Sequence, residues 1–100
     1  MKYGLTEATI AKICGVFAQF PEIEKAIIYG SRAKGNYKVG SDIDLTLIGA
    51  KLSQTTCMTI AEALDELLLP YCIDLSVFAL LNHPDLEAHI QRVGLVFFTH

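Results

Sequence analysis

Two short segments carry residues that could do chemistry together: Gly30-Ser31-Arg32-Ala33-Lys34-Gly35 and Gly40-Ser41-Asp42-Ile43-Asp44-Leu45. The first is a Gly-Ser turn followed by basic residues. Gly30 lets the backbone turn tightly and approach a ligand closely. The exposed N–H groups of such a turn, with the Ser31 hydroxyl, make a concavity suited to an anion, and Arg32 and Lys34 add positive charge. The second segment presents two carboxylates. Residues i and i+2 of a strand point to the same side, so Asp42 and Asp44 lie together, with Ile43 and Leu45 opposite. Carboxylates that close repel each other unless a cation sits between them. Hard oxygen donors at this spacing suit Mg²⁺, which takes one or two carboxylates and completes its shell with water and phosphate. One half is built for phosphate and the other for a divalent metal. Together they describe a site for a metal-bound nucleoside triphosphate.

A third carboxylate extends the set. Cys72-Ile73-Asp74-Leu75-Ser76-Val77-Phe78 alternates polar and apolar with period two, the pattern of a half-buried strand. Asp74 shares a face with Cys72 and Ser76, while Ile73, Leu75 and Val77 point the other way. The earlier strand places Asp42, Asp44 and Thr46 on one face, and Ile43, Leu45 and Leu47 on the other. If the two strands are neighbours, Asp42, Asp44 and Asp74 collect on one open face of the sheet.

The arrangement Gly-Ser, nine residues, Ser-Asp-x-Asp-Leu, and a later strand Asp resembles the nucleotidyltransferase superfamily of DNA polymerase beta. In its short form the chain is similar to the minimal nucleotidyltransferase (MNT) family. That resemblance runs from the strand near Lys25 to Leu95-Val96-Phe97-Phe98. It implies an α/β (α+β) fold: a small mixed sheet with helices packed on one face and an open catalytic face. It also implies that Ser31 and its neighbouring backbone hold the triphosphate. Asp42 and Asp44 would ligate Mg²⁺, and Asp74 would join them at a second, catalytic ion and help activate the attacking hydroxyl. The nucleotide-binding set is then Gly30, Ser31, Arg32, Lys34 and Ser41. Arg32 either touches phosphate or caps the turn in solvent. By the same resemblance ATP is the substrate, and the partner is a separate all-helical HEPN-type protein. The chain would neutralise that partner as the antitoxin of a toxin–antitoxin pair, by modifying a tyrosine. The alternatives are nucleotidylation of a small molecule such as an aminoglycoside, and a partner-masking module without catalysis.

Composition bounds these readings. The 100 residues are expected to form a single domain. A hydrophobic fraction of 52% supports a real core and leaves apolar surface for a partner. Net charge is −3 and the basic residues are sparse, with Arg32, Lys34 and Lys38 as their one cluster. A domain that gripped nucleic acid alone would show a basic face, so none is expected to bind here. No apolar run approaches a membrane span, and no signal-like segment opens the chain. Cys14, Cys57 and Cys72 are odd in number and lack zinc spacing. They read as free thiols in a reducing, cytoplasmic setting.

The elements that must position the site alternate between helix and strand. A helix is expected from Thr6 to Phe20, a strand from Glu24 to Tyr29, a helical turn near Ser31 to Lys34, and a strand from Asp42 to Ile48. A helix from Thr55 to Leu69 follows, with Ile60, Leu64, Leu67 and Leu68 as its apolar face, stopped by Pro70. The strand Cys72 to Phe78 comes next. The last helix starts at Pro84, where proline suits the first turn, and stops at Gly94. Leu95 to Phe98 is a short final strand. Its adjacent phenylalanines should point to opposite sides, which would leave one for an interface or for a neighbouring helix. His83, His89 and His100 are expected on the surface, with His89 on the polar side of its helix. Tyr37 stacks on a base or lies on the surface.

Overall fold

The computed structural model describes residues 1–100. Its elements are α1 (Glu7–Phe17), β1 (Lys25–Tyr29), α2 (Gly30–Lys34), β2 (Ile43–Ile48), α3 (Gln54–Asp65), β3 (Ile73–Val77), a 3-10 turn (Phe78–Leu80), α4 (Pro84–Val93) and β4 (Leu95–Thr99). The strands form one mixed sheet in the order β3-β2-β1-β4. β1 pairs antiparallel with β2 and β4, and β2 runs parallel to β3. The parallel pair needs a crossover, and α3 supplies it.

Each long helix begins at a side-chain cap. Thr6 accepts from the Thr9 N–H at 3.1 Å, Ser53 from Thr56 at 3.2 Å, and His83 Nδ1 from Leu86 at 3.1 Å, satisfying donors that a helix start otherwise leaves open. Pro84 occupies the first turn of α4, as its sequence position predicts. α1 and α3 close about one turn earlier than the apolar periodicity suggests. After α3 the chain tightens into i→i+3 bonds, Leu67 to Leu64 and Leu68 to Asp65, both 3.1 Å. Leu68 then adopts φ 54° and is 88% exposed. It is therefore not part of the apolar face expected for it, whereas Leu67 and Leu69 pack on the core.

α1 and α3 cover one face of the sheet. Ile13, Val16 and Phe17 from α1 meet Cys57, Ile60 and Leu64 from α3 over Ala26, Ile28, Ile43, Leu45 and Leu47. The second face is less open than the resemblance implies, because α4 lies across it over β1. Ile90 and Tyr29 are buried but stand outside the main core. Gly94 approaches Ile27 so closely that a Cβ there would lie 2.7 Å from Ile27 Cγ2.

The end of β4 corrects the reading of its phenylalanines. Ala26 pairs with Phe98 and Ile27 with Val96, so Phe97 is an extra residue in a β-bulge. The bulge interrupts the alternation, and both rings reach Phe17, with centroids 6.5 Å away for Phe97 and 5.7 Å for Phe98. Leu95 and Val96 are the exposed apolar residues of this edge, at 46% and 53%.

Candidate active site

The site is built by a row of residues across three adjacent strands. Tyr29 on β1 is opposite Asp44 on β2, and Asp44 is opposite Asp74 on β3. Neighbouring strands lie roughly 4.8 Å apart, so the two carboxylates stand side by side. The row behind them is Ile27, Thr46 and Ser76. There Ser76 donates to the Thr46 hydroxyl at 2.9 Å, and Thr46 is fully buried. Asp74 is exposed and Asp44 half-buried. The strand alternation expected from the sequence holds for this pair.

Asp42 joins them from outside the ladder. β2 begins at Ile43, whose N–H donates to the Cys72 carbonyl at 2.9 Å, and Asp42 is an exposed residue just before it. It is close enough to act on Asp44. Burial, then the charges of Asp74 and Asp42, push the Asp44 carboxyl above its usual range; His89 and Arg32 only partly offset them. The three carboxylates do not close into a ready-made cluster of three metal ligands. The donor set nonetheless fits Mg²⁺: hard anionic oxygens, two of them side by side and mutually repelling, with room left for phosphate and water.

The Gly-Ser turn is carried to the same place. α2 starts at Gly30, whose φ of 72° is open to glycine. A Cβ on Gly30 would collide with the Asp44 carboxylate, so the turn and the carboxylate are in contact. No side chain caps the start of α2, so no side chain competes with an anionic oxygen for its first N–H groups. Ser31 is half-buried beside them and Lys34 is exposed in the last turn.

Two residues expected at the nucleotide also make hydrogen bonds within the protein. Arg32 does not cap the turn in solvent. It is 3% exposed, with its guanidinium 5.3 Å from the Tyr37 ring and 5.0 Å from Tyr71. It donates to the Ser41 carbonyl from Nε (3.1 Å) and Nη2 (2.8 Å), and to the Tyr3 carbonyl from Nη1 (2.8 Å). Ser41 closes a loop turn. Its hydroxyl accepts from the Lys38 N–H at 2.8 Å and its own N–H donates to the Lys38 carbonyl at 3.0 Å. Tyr37, with one side toward Arg32, is 38% exposed. Cys72 is an exposed free thiol.

Tyr29 and His89 belong to the site, although their sequence positions gave neither a role. Tyr29 is 6% exposed. Burial, then Asp74, raises its phenol, with the Ser76 hydroxyl pulling the other way and Asp44 adding to the rise. His89 does not lie on the polar side of α4. It is half-buried and meets Tyr29 edge-on, with ring centroids 6.2 Å apart. A signal was present: His89 is three residues after Leu86 and four before Val93, within the stripe that faces the sheet.

A family model for the polymerase beta nucleotidyltransferase domain matches residues 11–100. The chain belongs to the polymerase beta nucleotidyltransferase family. Among solved structures, this nucleotidyltransferase domain is similar to a chain of a toxin–antitoxin crystallised with AMP-PNP. The TM-score is 0.72 and the identity 22%, covering 96% of this chain and 75% of that one. It is similar to a chain of the tri-AMPylated Shewanella oneidensis HEPN toxin in complex with MNT antitoxin, at TM-score 0.70 and 17% identity, over 96% and 74% of the two chains. A chain of the MntA–HepT toxin–antitoxin gives TM-score 0.70 and 18% identity, over 95% and 74%. At these identities the likeness is one of fold. No match is found among curated protein sequences.

Proposed function

We propose that the protein transfers a nucleoside monophosphate, AMP, from ATP to a hydroxyl on an all-helical HEPN-type partner, acting as the antitoxin of that pair. The observation that carries the chemistry is the Asp44–Asp74 pair set against the uncapped start of α2. The likeness in fold to chains of toxin–antitoxin complexes supports the choice of acceptor.

Asp42, Asp44 and Asp74 are the residues that would hold Mg²⁺, two ions in all. When bound, the metal neutralises phosphate charge and polarises the oxygens of the reacting centre. The first N–H groups of α2 and the Ser31 hydroxyl bind the outer phosphates, and Lys34 adds charge at the rim. Asp74 accepts the proton of the attacking hydroxyl on its carboxylate, a role supported by its being the most exposed member of the row. The deprotonated hydroxyl oxygen of the acceptor forms a bond to the α-phosphorus, the bond from α-phosphorus to the bridging oxygen breaks, and pyrophosphate leaves. Tyr29 and His89 stand in contact on the β1 side of the site, and the charge of His89 partly offsets the rise of the Asp44 carboxyl.

The test is incubation of the protein with ATP, Mg²⁺ and an all-helical HEPN-type protein from the same genome, followed by intact-mass analysis. The expected result is a partner heavier by one or more AMP residues, with no modification for Asp44→Ala or Asp74→Ala. An unmodified partner beside an adenylylated small-molecule acceptor would move the aminoglycoside-like reading into first place.

A further inference from the structure

We propose that Arg32 is a positioning residue for Asp42, acting through a clamp between the N-terminal turn and the loop that enters β2. Asp42 is exposed, lies outside the strand ladder, and its side chain takes part in no hydrogen bond within the protein. Its place is therefore inherited from its two neighbours. On one side Ile43 is buried and tied to Cys72. On the other, the Ser41 carbonyl is held by two N–H groups of Arg32. A fork on a single carbonyl fixes both its position and its direction, which the point charge of a lysine does not do.

The clamp has a second jaw at the start of the chain. Lys2 and Leu5 exchange backbone bonds of 3.2 and 2.8 Å around Tyr3 and Gly4, both with positive φ, 58° and 71°. That is the geometry of a two-residue type I′ turn, and it aims the Tyr3 carbonyl at Arg32 Nη1. Gly4 is required by contact as well as by backbone. A Cβ there would collide with the Tyr37 ring and stand 2.9 Å from Arg32 Nη1. Tyr37 and Tyr71 flank the guanidinium, so its direction is set by two aromatic faces and two carbonyls. All three of its hydrogen bonds go to backbone carbonyls, so its hydrogen-bonding capacity is spent on chain geometry.

The proposal rests on the nucleotidyl-transfer reading only in treating Asp42 as a metal ligand. Mg²⁺ alone is titrated into isotope-labelled wild type, Arg32→Lys and Gly4→Ala, following backbone amide signals. In both variants the Ser41 and Asp42 amides should move before metal is added, while those of Asp44 and Asp74 stay. Mg²⁺ affinity should fall by roughly 10-fold or more, the size seen when support for a ligand is lost. Lysine should fail to rescue. Gly4→Ala leaves the guanidinium present, so it decides the matter if Arg32→Lys does not fold. Wild-type signals at Ser41 and Asp42 in a folded variant, or wild-type Mg²⁺ affinity in Arg32→Lys, would overturn the clamp. If wild type takes up no Mg²⁺, the metal assignment falls, and the amide comparison still decides the clamp.

Discussion

Replacing Gly30 by alanine tests the contact that joins the phosphate turn to the metal carboxylates. Two costs are expected. The first is conformational: at φ 72° an alanine pays about 1–2 kcal/mol for the left-handed region. The second is the collision of the new Cβ with the Asp44 carboxylate, which must swing away. Gly35 separates the two, because it has φ 86° but nothing within 4 Å of a Cβ. Gly35→Ala should therefore show the backbone cost alone, a fall in Tm of roughly 4–8 °C per kcal/mol in a domain of this size. Gly30→Ala should fall further and lose transfer by roughly 10²-fold, the scale of a misplacement near 1 Å at a reacting centre. In an Asp44→Gly background the collision partner is gone, so the excess over Gly35→Ala should vanish; the double-mutant cycle measures this coupling. The assays are thermal unfolding by circular dichroism and AMP transfer to the partner. Equal Tm losses at the two glycines, or near-wild-type transfer by Gly30→Ala, would refute the argued contact.

Asp44→Asn should stabilise the protein in EDTA at neutral pH. The folded-state pKa of Asp44 is raised, so its ionised form weighs against the native state above that pKa and the penalty disappears below the unfolded value. The gain should therefore shrink as pH falls through the carboxylate range, and it should stay below about 1 kcal/mol because solvent screens a half-exposed group; Tm measured against pH checks it. ATP should bind tightly only with Mg²⁺, since three carboxylates repel a bare triphosphate, and calorimetry with equal affinity in Mg²⁺ and in EDTA would count against the metal assignment. Phe98→Ala should cost about 1–3 kcal/mol, less than a fully buried phenylalanine, because the bulge turns this half-buried ring onto Phe17; a change near zero by urea denaturation would return Phe98 to the surface. Ile43→Ala, at a fully buried position beside Asp42 and Asp44, should cost about 2–5 kcal/mol, read by the same denaturation.

Local chain geometry carries much of the candidate site. Strand alternation is a property of the backbone, so the common face of Asp44 and Thr46, and that of Asp74 and Ser76, followed from residue order alone. The need for glycine at position 30 was legible for the same reason, since only a residue without Cβ takes that turn freely. The proline at the start of α4 and the strand at Leu95 were also readable from their own neighbours. Relations between distant segments were decided by the tertiary structure. The in-line pairing of Asp44 with Asp74 depends on β3 returning parallel beside β2. Arg32 turns inward because acceptors at Tyr3 and Ser41, and rings at Tyr37 and Tyr71, converge on it from four places in the chain. Phe97 and Phe98 share a core because a bulge opposite Ala26 and Ile27 breaks the period-two rule. His89 reaches the site because α4 crosses the face that local patterning leaves open. Backbone periodicity is set within a few residues, whereas a buried charge, a bulge or a crossing helix takes its place from groups that only the folded chain brings together.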